Sequence, residues 1–190
     1  MRKTSARAHS GRWRARGFTL AEVMIVVAII SVLATLAVYG VRKYIQAAKS
    51  HEATNMIKDI KEGQESYWRE TRHFLSVSSS IDAVYPPRGP GSWAAKIQWG
   101  GPGDGLANWQ LLNVNPDGPV YFSYATVAGP AGGTVPDPWG DDSTNRTNWP
   151  APTGDWYVVK AVGDLDENGK KSVFVGSSFT SEIWIDNEGE

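Results

Sequence analysis

Asp164-Leu165-Asp166-Glu167-Asn168-Gly169 sets side-chain oxygens at alternate positions and closes on a glycine. A short loop gathers hard oxygen ligands around calcium in this way, the glycine supplying the sharp turn. An EF-hand would place a bidentate glutamate where Val175 stands and would need helices on both sides. Asp, Asn and Gly also favour hairpin turns for local backbone reasons. Two readings are therefore open: calcium held by Asp164, Asp166 and Asn168, or an ordinary turn. The second chemically informative residue is Glu22, the single charge in an apolar run from Phe18 to Val41. An ionised carboxylate in a bilayer costs about 2.5 kcal/mol or more on insertion scales, so a carboxylate placed there is a functional residue by default.

Other kinds of chemistry find little support. The histidines are His9, His51 and His73, too far apart in sequence for a zinc pair. There is no cysteine, which removes a disulfide framework, a thiolate nucleophile and Cys-ligated zinc. No Gly-rich phosphate loop follows a strand, and no serine sits in a nucleophile elbow. Residues 1–17 carry six basic side chains and no acidic one, so without them 13 basic groups face 20 acidic ones. Such an acidic remainder does not suit direct nucleic-acid binding, which needs a basic surface.

The apolar run is 24 residues long. As a helix rising ~1.5 Å per residue it reaches ~36 Å, enough to cross a hydrocarbon core of ~30 Å. A basic leader before it predicts a cytoplasmic N-terminus and an exported C-terminal part. Arg42 and Lys43 can snorkel at the far end. A cleaved secretory signal would have an apolar region of ~7–15 residues ending in small residues. Here the run is longer and flows on into more helix. An uncleaved signal anchor has the same hydropathy, and Glu22 separates the two.

With the basic leader, Gly17-Phe18 and Glu22 four residues beyond Phe18, the sequence Arg16 to Ile30 resembles the class III signal of type IV prepilins and type II secretion pseudopilins. The resemblance implies cleavage after Gly17 by a prepilin peptidase and N-methylation of Phe18. It also implies that Glu22 registers one subunit against the Phe18 amine of a neighbour. The expected product is a structural subunit of a type IV pilus-like filament and not an enzyme. Its partners would be copies of itself and other pilins, the peptidase, an assembly platform and the inner membrane, with the cell surface as the final location. The alternative is a pseudopilin of a type II secretion system, calcium-stabilised and confined to the periplasm. Asp137-Pro138-Trp139-Gly140 is similar to a motif of the major pseudopilin, whose C-terminal loop binds calcium. A remote alternative is a secreted enzyme on a signal anchor. Many type IV pilins have glycine where Ser31 stands and proline where Tyr39 stands; here the helix is expected to stay continuous.

The elements follow from periodicity. No proline occurs before Pro86, and Val41, Ile45, Ala48, Met56, Ile57, Ile60 and Tyr67 recur at helical spacing. One helix from about Phe18 to about Thr71 is predicted, its second half amphipathic. Residues 76–118, rich in Ser, Pro and Gly, read as a long connection with a short helix around Leu106–Val114. Trp93, Trp99 and Trp109 on it read as small satellite cores. Strands are expected at Val120–Val127, Asp155–Val162, Ser172–Ser177 and Glu182–Asp186. The fold class is α+β, a long N-terminal helix on an antiparallel sheet of about four strands, the pilin fold. The expected divisions are a leader (1–17), a membrane and filament-core helix (18–41), an amphipathic half (42–75), an αβ loop (76–118) and a sheet head (119–190).

Overall fold

The computed structural model describes residues 17–89, 91–101, 106–140 and 148–188. The leader, apart from Gly17, lies outside the described residues. Residues up to Val41 form one compact unit and those from Arg42 onward another.

Helix α1 spans Leu20–Thr71, 52 residues without a break. Ser31 stays within it, its hydroxyl donating to the Val27 carbonyl at 2.7 Å, so neither Ser31 nor Tyr39 interrupts the helix. In the first unit every described side chain of α1 is exposed. Over one 18-residue window the mean hydropathy reaches 2.6, long and apolar enough to cross a membrane by length and composition.

In the second unit α1 buries Ser50, Ala53, Met56, Ile57, Ile60 and Gln64. The spacing of three, four, seven and eleven from Ala53 is one helical face. Ile45 and Ala48, expected on that face, are exposed; full burial along α1 begins only at Ser50. Short helix α2 is Leu106–Leu111.

Four strands, β1 (Ser123–Gly129), β2 (Trp156–Gly163), β3 (Ser172–Ser177) and β4 (Trp184–Asp186), form an antiparallel meander in chain order. The first strand starts three residues later than its sequence pattern suggests, since Val120 pairs instead with Ile97 of the loop. Period-two alternation sorts the side chains. Tyr124, Tyr157, Val159, Ala161 and Phe174 join Ile57 and Ile60 in one core. Ala125, Val127, Val158, Val162, Val173 and Val175 form a second core with Ile81, Trp139 and Trp156. A Cβ on Gly176 would stand 2.7 Å from the Ile57 side chain, so β3 needs a glycine where the helix approaches it.

The αβ loop is part of this core. Val77, Ser78 and Tyr85 bond along the outer edge of β1, with Tyr85 and Tyr124 exchanging both backbone bonds at 2.7 Å. Trp99 and Trp109 are not satellites: they lie in the main core, 5.5 Å apart and edge to face, with Trp99 5.0 Å from the Tyr85 ring.

Candidate functional site

Gly17, Phe18 and Thr19 precede α1, and the helix opens on a reciprocal cap. The Glu22 N–H donates to Thr19 Oγ1 at 3.2 Å, while Glu22 Oε2 accepts the Thr19 N–H at 2.8 Å and the Thr19 hydroxyl at 2.7 Å. This is a capping box, satisfying donors that a helix start leaves unpaired. Sequence reasoning singled out Glu22 for its charge and missed Thr19, although Thr19-x-x-Glu22 carries the signal. A carboxylate accepting two hydrogen bonds from its own chain sits at lower cost in an apolar medium. Phe18 is 85% exposed. Gly17 has nothing within 4 Å of where a Cβ would stand, and its φ lies outside the left-handed region. Its own fold therefore gives no reason for a glycine there.

Asp164, Asp166 and Asn168 lie on the β2–β3 connection, and the structure joins them as a turn. Asp166 Oδ2 accepts from Asn168 Nδ2 at 2.9 Å, Asp164 Oδ2 accepts the Gly169 N–H at 3.1 Å, and Asn168 Oδ1 accepts the Lys170 N–H at 2.7 Å. Glu167 and Gly169 take positive φ of 58° and 89°. These are the local bonds of the turn reading. One feature exceeds them. Asp164 is 5% exposed, and its Oδ1 is buried without a hydrogen-bond partner. Among the described residues no three His, Cys, Asp or Glu side chains gather as a ready-made metal group. In Asp137-Pro138-Trp139-Gly140, the Asp137 carboxylate accepts the Trp139 N–H at 3.1 Å and Trp139 is buried in the second core.

A residue without any sequence signal organises the αβ loop. Arg88 donates from Nε to Ser123 Oγ (3.1 Å), from Nη1 to the Ser92 and Ala95 carbonyls (2.6 and 2.8 Å), and from Nη2 to the Val120 and Tyr121 carbonyls (2.9 and 2.7 Å). Five bonds use the whole guanidinium fork, which no lysine could do. Burial lowers its pKa, and Glu52 and Tyr124 oppose that shift.

Residues 14–38 match the family described as the prokaryotic N-terminal methylation motif. The type IV major pilin protein PilA of Myxococcus xanthus (strain DK1622) is 38% identical over 76 residues, 40% of this chain and 34% of that protein. The chain thus aligns with about a third of the length of the curated relative it matches. No solved structure matches. Its N-terminal motif and this partial likeness are what the chain shares with a type IV pilin.

Proposed function

We propose that the chain is the structural subunit of a type IV pilus-like filament, not an enzyme. In this reading prepilin peptidase cuts between Gly17 and Phe18 and Phe18 becomes N-methylated. Residues 18–41 wait in the inner membrane, and an assembly platform transfers them into the filament among copies of the chain and other pilins. The observation that carries the reading is the surface of α1. Leu20, Met24, Ile25, Ile30, Val32, Leu33 and Leu36 are each 58–77% exposed. Burying such a side chain is worth about 1.5–3 kcal/mol, so the helix needs lipid or other helices around it. Both are apolar, so moving from one to the other gains little from hydrophobicity, and packing and polar contacts set the register. Glu22 is the single charge available for that, and the amine created at Phe18 is its natural counter-charge. Glu22→Ala is expected to be cut and methylated normally but to lower filament yield at least tenfold in sheared fractions, on the order of one lost charge pair. Wild-type filament yield would remove the registry role.

The second reading concerns calcium, and it also suits a pseudopilin of type II secretion. A carboxyl oxygen that is buried without a hydrogen-bond partner carries an unmet desolvation cost. Asp164 Oδ1 is such an oxygen, and its partner oxygen already faces the loop through Gly169. Asp164, Asp166 and Asn168 would hold a calcium ion. Two carboxylates and one amide place its dissociation constant in the ~10⁻⁴–10⁻³ M range of extracellular modules. In a chain without cysteine the ion would staple the β2–β3 connection, since binding to the folded state is folding free energy.

A further inference from the structure

The sheet face turned away from α1 carries a cleft of ≈ 840 Å³. Small-molecule sites of ~300–1,000 Å³ pair apolar and aromatic lining with a few placed polar groups, and this cleft has that make-up. Val162 and Val173, partners across β2 and β3, supply apolar lining. Trp93 and Trp139 add two indoles. Trp139 is buried in the second core. Arg88 approaches the centre of the Trp93 ring to 5.4 Å and Lys171 to 5.2 Å. Because Arg88 also binds the Ser92 and Ala95 carbonyls on either side of it, Trp93 is held in place before a ligand arrives.

Lys160 is the unusual member of the lining. It stands on β2 between Val158 and Val162, on the apolar face of the second core, with Ala125 and Val175 as its cross-strand partners. Its side chain is 8% exposed, and among the described residues its ammonium meets one partner, Asp82 Oδ1 at 2.7 Å. An ammonium has three donors, so two N–H groups are left for whatever enters the cleft that Lys160 lines. Lys170 and Lys171 of the β2–β3 turn line it as well, and among the described residues neither has an ion-pair partner. Asp82 and Asp186 are the acidic members of the described lining, so lysines outnumber carboxylates. A nearly buried ammonium with unfilled donors selects an anion over a neutral group. The two indoles select a ring that can lie against them.

We propose that this cleft binds a carboxylate carried on a ring, the carboxylate meeting Lys160 and the ring packing on Trp93 and Trp139. Two sources share that chemistry: a uronic-acid sugar, through the C–H face of its pyranose, and an aromatic acid, through its π face. Lys170 and Lys171 draw the anion towards the cleft. The site goes beyond the filament and calcium readings and depends on neither, since it uses no residue of the apolar stem and none of Asp164, Asp166 and Asn168.

Full-length protein in a detergent without sugar or carboxylate groups provides the test, by titration calorimetry. The probes are digalacturonate and its methyl ester, and 2-naphthoate and 2-naphthalenemethanol. Wild type is expected to bind at least one acid on the order of tenfold more tightly than its uncharged counterpart, as one charge-assisted hydrogen bond would give. The acid that binds more tightly assigns the source. Lys160→Met keeps the apolar stem and leaves Asp82, whose side chain is 75% exposed, in water. It is expected to lose about tenfold in affinity for the acid and nothing for the uncharged probe. Lys170→Ala with Lys171→Ala, at exposed positions, is expected to weaken the acid several-fold and gives the same comparison should Lys160→Met fail to fold. Equal affinity for acid and uncharged probe, lysine variants that bind the acid as wild type does, or no binding of either acid at millimolar concentration would each overturn the proposal.

Discussion

Glu22 carries two demands that look opposed. In the proposed filament it would stay acceptable to a bilayer before assembly and be available to a neighbour afterwards. The capping box answers the first: Thr19 and the helix start supply its hydrogen-bond donors. It leaves the second open, because a carboxylate has about four acceptor sites and the cap uses one oxygen. Gly17 is the complementary case. Nothing in the fold fills the space beside it, so a side chain there costs the subunit no stability and is felt only by whatever binds the leader junction. Gly17→Val is therefore expected to fold and insert normally but to remain uncut, at under a tenth of wild-type processing, as a mass retaining residues 1–17. A precursor that matures at the normal rate would remove the cleavage site from Gly17. At this scale Glu22 stood out in the sequence as a charge in an apolar run, and the structure adds its cap with Thr19. Arg88 did not stand out, since five carbonyl and hydroxyl acceptors scattered over residues 92–123 leave no local pattern.

Among the elements, α1 shows what periodicity can and cannot say. Its extent, Leu20–Thr71, was readable from an unbroken helical pattern without proline. Where its face becomes buried was not, because Ile45 and Ile57 look alike in sequence while only the second meets the sheet. Gln64 reverses the lesson. A polar residue on the apolar face, it is fully buried, donating to the Leu75 carbonyl at 2.6 Å and to Thr126 Oγ1 at 3.2 Å, and accepting the Leu75 N–H at 2.9 Å. It fixes the chain where it leaves α1 and turns towards β1. Replacing it leaves several buried polar groups unpaired at about 1–3 kcal/mol each. Gln64→Leu is thus expected to destabilise by about 2–4 kcal/mol in denaturant melts, more than Gln64→Glu near pH 4, where the acid is partly protonated and can still donate. A loss under 0.5 kcal/mol would show that the exit of α1 is held elsewhere. The strands were placed within three residues by alternation and turn residues. Trp99 and Trp109 were misjudged, because joining the main core depends on long-range pairing such as Ile97 with Val120.

For the whole molecule, the apolar unit up to Val41 and the unit from Arg42 onward ask for different surroundings. The second unit buries apolar side chains in two cores of its own; among the described residues of the first, none is buried. In the proposed reading a filament would reconcile them, with many copies of the first unit supplying one another's apolar surroundings. The acidic balance left without residues 1–17 would keep such a polymer soluble. The proposal turns on maturation at one peptide bond, which would remove the basic leader and create the amine proposed to face Glu22. The most direct measurement is the N-terminal sequence and mass of the protein recovered from sheared surface filaments, beside that from membranes. The account predicts a chain beginning at N-methylated Phe18 in the sheared fraction. An intact Met1 in every fraction would contradict it.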